Sequence, residues 1–520
     1  MRVLQSVLGV LLWSFSWAHK NDGGYRDHPD RMHTIPGLAM PPPSPWYSGY
    51  LTYELNGHTI HTHYILVEAE EGEEDKPLLY WSNGGPGASS TFGLMTELGP
   101  LLFSELSLQT DHYRKTGIPT PIYNEYSWTK LGHVLIFDLP APVGFSYCEP
   151  IDDSVPEGYT CGSWTDELAS LNAYQALIHF YQKFPSYLDK DLYLTGESYA
   201  GIYIPTLARR IVEGTETAIQ DVFRGFAVGD GCLGTETNVC GDQYGKDYFY
   251  NAIFLAGHHQ MPLSTLHSIL TDCGLEGENL ETTACKESLH KGKTQAGGYY
   301  AYSLYDDCTY DNGFLMKDTG KLGGALNDYP CGGDPVMTQY LNLTVVKEAF
   351  HVAPGVDFFN VDNGEAFDYT STEPTLENFY KSVNGQLRVL VYNGDTDPSI
   401  NSFEAQNWTH HLGFDVEEDW RPWTIDGCLR MGGYVTRYAG DFDFLTIRGS
   451  GHMVPTYKPA ATFAFLKAWL ENTDYPAFDP TCWGPEKMPE QHPRDFANDE
   501  TVVSTPNLLR KNQHFHEREN

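Results

Sequence analysis

Apolar and polar residues alternate through Tyr50, Leu51, Tyr53 and His61 to Leu66, after a proline-rich entry at 40–45, and this period of two predicts antiparallel strands. Continuous apolar runs at 78–81 and 134–137 predict buried strands. The period then changes. Leu168, Leu171, Tyr174, Leu177, Ile178 and Tyr181 recur at helical spacing, an apolar run at 192–195 follows directly, and a helical run at 202–211 comes next. The run 222–228 continues the strands. From Gly229 to about Tyr340 the pattern dissolves into glycine, cysteine and short helical pieces; strands then resume at 387–392 and 444–447, followed by a last helical run at 459–470. Alternating strand and helix requires a parallel sheet, so the middle reads as an insertion over that sheet. The acidic run 68–75 reads as a solvated hairpin tip, and no internal repeat is found.

Gly196-Glu197-Ser198-Tyr199-Ala200-Gly201 stands where the strand run breaks and the helical run restarts. This is the sequence form of a nucleophile elbow, a sharp strand-to-helix turn that pushes a serine oxygen clear of the backbone. Ala200 takes the place of the second glycine in the common form of the motif. A serine hydroxyl needs a base to take its proton, and the base needs a carboxylate to hold its tautomer. His452, on a glycine-flanked loop after the strand at 444–447, and Asp397, after the strand at 387–392, supply them. The chain order Ser198, Asp397, His452 is the one expected of an α/β-hydrolase. Asn83-Gly84-Gly85-Pro86-Gly87 follows the strand at 78–81, where backbone N–H groups must face a developing oxyanion; the N–H groups of Gly85 and Tyr199 are the expected donors.

Composition narrows partners and compartment. Lys plus Arg total 33 against 69 Asp plus Glu, a formal charge of −36 that repels phosphates and anionic lipid surfaces, so nucleic acid is excluded as a partner. The 20 histidines add positive charge as pH falls through about 6.5, so self-repulsion would relax in an acidic compartment. Residues 1–18 read as a secretory signal, with Arg2, an apolar run at 3–13 and Ser16-Trp17-Ala18. No later segment reaches 18 uninterrupted apolar residues, so no membrane insertion is expected, and the chain is assigned to the secretory pathway, ending in a lysosome or vacuole or outside the cell. Asn342 and Asn407 head glycosylation sequons. Ten cysteines favour structural disulfides. Six of them (Cys232, Cys240, Cys273, Cys285, Cys308 and Cys331) crowd into one stretch that needs cross-links for want of a large core, and Cys148 and Cys161 make a local pair. Connectivity within the six is not readable from spacing. The expected organisation is a signal peptide (1–18), the first part of a hydrolase core (19–230), an inserted cap (231–340), the second part of the core (341–484) and a polar tail (485–520).

Trp81-Ser-Asn-Gly-Gly-Pro-Gly-Ala-Ser-Ser90, Glu97-Leu-Gly-Pro100, Tyr126-Ser-Trp128, Val143-Gly-Phe-Ser-Tyr147, the elbow, Tyr340-Leu-Asn342, Gly394-Asp-Thr-Asp397 and Gly451-His-Met-Val-Pro455 resemble, in this order, the motifs of the serine carboxypeptidase family, which includes vacuolar carboxypeptidases and cathepsin A-like enzymes. The match runs from about Ser48 to Leu470. The resemblance implies an α/β-hydrolase fold, with a mostly parallel central sheet and a disulfide-rich inserted cap. It implies a serine-type carboxypeptidase that releases single residues from peptide and protein C-termini at acidic pH through an acyl-enzyme. On that resemblance Ser198, Asp397 and His452 form the triad; Asn83, the N–H of Gly84 and Glu197 bind the substrate's terminal carboxylate, with Glu97 bonded to Glu197; and Met453 lies near the leaving residue. Two close carboxyl groups cannot both ionise cheaply, so one keeps a proton and can donate it to that carboxylate.

Three departures from common family forms stand out. Ala88 replaces a cysteine that tethers core to cap in many members, which leaves the partner of Cys331 open, and Ile400 replaces a cysteine found near the site in some. Asp230 replaces an asparagine often seen in relatives. His58, His61 and His63 read as an exposed strand face, and neither metal nor cofactor is expected. Two rival functions use the same features: acyl transfer to an alcohol by the same triad, and a protective partner of lysosomal-type enzymes. Glu97 and Glu197 together favour the carboxypeptidase over the acyltransferase. A homodimer is an assembly left open.

Overall fold

The computed structural model describes residues 27–483 apart from 73–74, 153, 237–239, 241–245, 307, 309–329, 362–363 and 365; the expected signal peptide and polar tail lie outside the described residues. The alternating N-terminal segments form β1 (Trp46–Leu55) and β2 (His58–Val67), paired antiparallel from Trp46 opposite Val67 to Leu55 opposite His58. The apolar runs form β3 (Leu78–Ser82), β4 (His133–Phe137), β5 (Leu192–Glu197), β6 (Phe223–Gly229) and β7 (Arg388–Gly394). They are followed by β8 (Val416–Thr424), β9 (Met431–Tyr438) and β10 (Phe442–Ile447).

These strands join one sheet in the order β1-β2-β4-β3-β5-β6-β7-β10-β9-β8, with short strands Arg31–Met32 and Tyr147–Glu149 beside β1 and β2. From β4 to β10 every neighbouring pair is parallel, and the pairs at both ends are antiparallel. A parallel centre must be covered on both faces, which is why its strands read as unbroken apolar runs rather than alternating ones.

Helix α1 (Asp166–Lys183) starts where the Thr165 side chain accepts the Leu168 N–H, and its charges suit the helix dipole, with Asp166 and Glu167 in the first turn and Lys183 in the last. It buries Ala173, Tyr174, Leu177 and Phe180, and α2 (Ala200–Glu213) buries Ile204, Leu207 and Ile211 in the same cluster. Truncating a buried ring such as Phe180 to alanine costs about 3–5 kcal/mol. The opposite face holds a second cluster with Trp81, Trp128, Leu390, Phe465 and Trp469.

Between β6 and β7 the chain leaves the sheet. Helices α3 (Lys246–Gly257), α4 (Leu263–Cys273) and α5 (Thr283–Ala296) enclose only a small core of their own, around Phe249, Phe254, Ile269 and Leu289. Disulfides Cys232–Cys240, Cys273–Cys285 and Cys308–Cys331 compensate, and Cys308 is thereby the partner of Cys331. Cys148–Cys161 is the local pair expected, and Cys428–Cys482 is the fifth bridge. After β7 come α6 (Ser402–His411) and α7 (Pro459–Glu471). No helix among the described residues is long and apolar enough to cross a membrane.

Two sequence readings are corrected. The acidic run 68–75 is no hairpin tip. The hairpin turns at Asn56-Gly57, and the acidic segment instead connects β2 to β3, with Glu70 accepting hydrogen bonds from Thr129 and Tyr123. Nor is His63 on an exposed face: it is fully buried, between Ser48 and Asp138. The period-two pattern places His63 on one side of β2 but does not say that the loop 138–146 covers that side.

Candidate active site

Parallel strands put all their carboxyl ends on one edge, and the expected residues gather there. Ser198 directly follows β5 and precedes α2 with φ of 65°, a left-handed conformation that costs a non-glycine residue about 1–3 kcal/mol and needs support from its surroundings. Its N–H donates to the Gly229 carbonyl at 2.9 Å, and its own carbonyl accepts from Gly201 at 2.8 Å and Cys232 at 3.0 Å. A Cβ on Gly201 would stand 2.3 Å from the Cys232 backbone, so close passage is enforced there, one residue beyond the Ala200 that interrupts the common motif.

Asp397 follows β7 and His452 follows β10. The His452 Nδ1 and Asp397 Oδ2 atoms are 2.6 Å apart. Asp397 also accepts the Ser399 N–H at 2.8 Å and the Ile400 N–H at 3.3 Å. The two loops are pressed together: Thr396 donates to the Ser450 carbonyl at 2.8 Å. The insertion touches both. The His452 N–H donates to the Tyr302 carbonyl at 2.8 Å, the Leu304 N–H donates to the Thr396 carbonyl at 2.9 Å, and the Tyr302 ring stacks on the imidazole with centroids 4.8 Å apart.

The loop after β3 packs on the elbow. A Cβ on Gly84 would lie 2.3 Å from the Tyr199 nitrogen and 2.8 Å from the Ser198 Cβ, so only glycine permits the approach. Gly85 follows with φ of 106°. Beneath this loop, Asp138 accepts the Ser89 hydroxyl at 2.5 Å and lies 3.2 Å from His63 Nδ1. On the far side, the Tyr199 hydroxyl donates to Asp166 at 2.6 Å, and Asp166 also accepts from Tyr369 and from the Thr372 and Glu373 N–H groups.

Asn83, Glu97 and Glu197 form one buried group. Asn83 Oδ1 accepts from Trp81 Nε1 at 2.8 Å and the Gly93 N–H at 3.0 Å, which fixes the amide so that Nδ2 faces Glu97 at 3.1 Å and Glu197 at 3.0 Å. The two buried carboxyl groups converge on the same Nδ2, and two that close cannot both ionise cheaply, so one keeps a proton. Burial raises Glu97 to about 7, against the pull of Asn83. It raises Glu197 well above the usual carboxylate range, and the charge of Glu97 adds to this. Glu97 and Met453 open onto a cleft of about 660 Å³ lined by Phe92, Leu102, Phe103 and Tyr126.

The sequons sit apart from this edge. Asn342 is exposed at the end of helix Gly333–Leu341, whereas Asn407 is half-buried on α6 with the Thr409 hydroxyl turned inward to the Ala405 carbonyl. Sequence reasoning missed Tyr302 and Asp166. Tyr302 lies in the stretch without periodicity. Asp166 reads as an ordinary first-turn acid, and nothing in its neighbours says that Tyr199 will reach it.

A family model described as serine carboxypeptidase matches residues 36–472. The chain is 31% identical to the lysosomal protective protein of Mus musculus, over 90% of this chain and 98% of the relative. It is 30% identical to the serine carboxypeptidase ctsa-4.1 of Caenorhabditis elegans, over 86% of this chain and 94% of the relative. Among solved structures, the prohormone-processing carboxypeptidase Kex1Δp of Saccharomyces cerevisiae superposes with a TM-score of 0.63 at 18% identity, covering 84% of this chain and 94% of that one, a likeness of fold. A match across nearly the whole described fold settles the assignment: this chain is an enzyme that belongs to the serine carboxypeptidase family.

Proposed function

We propose that the enzyme removes single residues from free peptide and protein C-termini under acidic conditions, through an acyl-enzyme on Ser198. The observation that carries this reading is the buried Asn83–Glu97–Glu197 group beside the elbow, because a shared proton is what a terminal carboxylate can accept. An acyltransferase working on a neutral ester has no need of it.

The His452–Asp397 contact supports the following steps. Ser198 Oγ attacks the last peptide carbonyl while His452 takes its proton, and Asp397 holds the imidazolium through Nδ1. The N–H groups of Gly85 and Tyr199 receive the oxyanion. Collapse of the intermediate breaks the C–N bond, and His452 returns the proton to the departing amine. Water, deprotonated by His452, then attacks the acyl-enzyme, and His452 returns that proton to Ser198 Oγ as the shortened peptide is freed. Until the C–N bond breaks, the glutamate pair and the Gly84 N–H grip the leaving residue's carboxylate.

The cleft beside Met453 favours a bulky apolar leaving residue, since its walls are mainly aromatic and aliphatic while Asp306, Glu125 and Asp334 supply negative charge. A secretory route ending in an acidic compartment suits the same chemistry. Incubation of a mixed peptide library with the enzyme at pH 5, read by mass spectrometry, is the test. Stepwise loss from the C-terminus is expected, with Phe, Tyr, Leu or Met released faster than Asp or Glu by about tenfold or more, the scale of one well-filled pocket. Internal cuts, or exchange of the acyl group onto an added alcohol in preference to water, would refute the reading.

A further inference from the structure

Asp230 ends β6 in the middle of the carboxyl edge, fully buried, with φ of 42°. Asp and Asn are the side chains that best tolerate this conformation, so the backbone accepts either one. Its carboxyl takes hydrogen bonds from Asn393 Nδ2 at 3.2 Å and the Gly394 N–H at 3.0 Å. One oxygen of Asp230, one of Asp397 and a ring nitrogen of His452 all lie within 4.8 Å of one another. Two buried carboxyl groups that close oppose each other's ionisation, so one of them holds a proton. Asp397 already accepts two backbone N–H groups and faces the imidazole, so the proton belongs on Asp230.

We propose that Asp230 is a positioning residue of the triad: in its acid form it donates a hydrogen bond to the Asp397 carboxylate, fixing that carboxylate against His452, and its ionisation switches turnover off at alkaline pH. Burial and the charge of Asp397 both raise Asp230 well above the usual range, which favours its acid form. The other titratable groups that face it are Glu197 and Tyr392, with Glu97 behind Glu197, and none of these can become positive. Only His452 can. A negative Asp230 can no longer donate to Asp397 and repels it, which displaces that carboxylate from the Nδ1–H and releases the imidazole. An asparagine here would make the same donation from its amide and accept the same N–H groups through its oxygen, yet could not titrate. The aspartate adds a pH limit that an amide lacks.

This rests on the triad reading above, and it acts on kcat, whereas the glutamate pair acts on substrate binding. The test uses a blocked amino-acid ester without a free carboxylate, so that the glutamate pair plays no part. In the natural enzyme kcat should fall about tenfold per pH unit once Asp230 ionises, the slope of one essential proton. In Asp230→Asn kcat at pH 5 should be a few-fold lower, because an amide is the weaker donor, but the ratio of kcat at pH 8.5 to kcat at pH 5 should rise at least fivefold. Superimposable profiles, or a loss in Asp230→Asn that is equal at every pH, would overturn the inference. Should the variant not fold, a natural enzyme whose ester kcat shows no fall with rising pH up to the pH at which it unfolds overturns it as well. Ser198→Ala is run alongside: undiminished turnover there removes the triad reading itself, while a dead Ser198→Ala with unchanged Asp230→Asn removes only this inference.

Discussion

At the scale of single residues, the Glu97–Glu197 pair makes the clearest quantitative claim. Each carboxyl is raised above its ordinary value, so the pair is protonated at pH 5, and as pH climbs through about 7 Glu97 ionises while Glu197, raised further by that charge, lags behind. On the proposed reading, a negative Glu97 then faces the substrate's negative end. KM for a peptide with a free C-terminus should therefore rise at least tenfold between pH 5 and 8, the scale of one lost charge-assisted hydrogen bond, while KM for the same peptide amidated at its C-terminus changes little. Initial-rate kinetics on the two peptides decide it, and equal weakening of both would count against the pair. The residues of this group were legible only through resemblance. Glu97 stands 100 positions from Glu197, and nothing in the spacing announces that Asn83 will bridge them.

At the scale of elements, the loop 83–87 and the elbow work as one interlocked unit. A methyl group on Gly84 has no room beside the Tyr199 nitrogen, so Gly84→Ala must move the loop that carries Gly85. Expected is a loss of about 10²–10³ in kcat, the usual effect of spoiling one oxyanion donor, with the fold retained by circular dichroism. Wild-type kcat in that variant would mean that the loop gives way elsewhere. Elements of this kind were largely readable from the chain. The parallel strands are continuous apolar runs, and α1, α2 and α7 repeat at helical intervals, so their places in the order of elements follow from periodicity. The edge pair β8–β9 was not readable. Glu417, Glu418, Asp419, Pro422, Gly432 and Gly433 interrupt any alternation, and an outermost strand exposed along much of its length needs none. His63 failed for the opposite reason, since its pattern was polar and its burial came from a distant loop.

For the molecule as a whole, an excess of acid that looks like a liability becomes a statement about working conditions. Besides the glutamate pair and Asp230, burial raises Asp395 to about 6 and lifts Asp443 and Glu404 above their usual range. A carboxyl raised by folding binds its proton more tightly in the native state than in the unfolded one. Its contribution is thus fully present below about 4, the unfolded value, and lost as pH rises through the folded value. The thermal midpoint should be about 5–10 °C lower at pH 8 than at pH 5 by scanning calorimetry, and a midpoint that rises with pH would contradict this account. The insertion bears on the whole molecule too. Tyr302 supplies the acceptor for the His452 backbone and Leu304 ties down the strand end that bears Asp397. A chain trimmed to its sheet and flanking helices would thus keep Ser198, Asp397 and His452 and still lack the clamp on the loops of the last two, so on the proposed mechanism what looks like an accessory to the hydrolase belongs to its machinery.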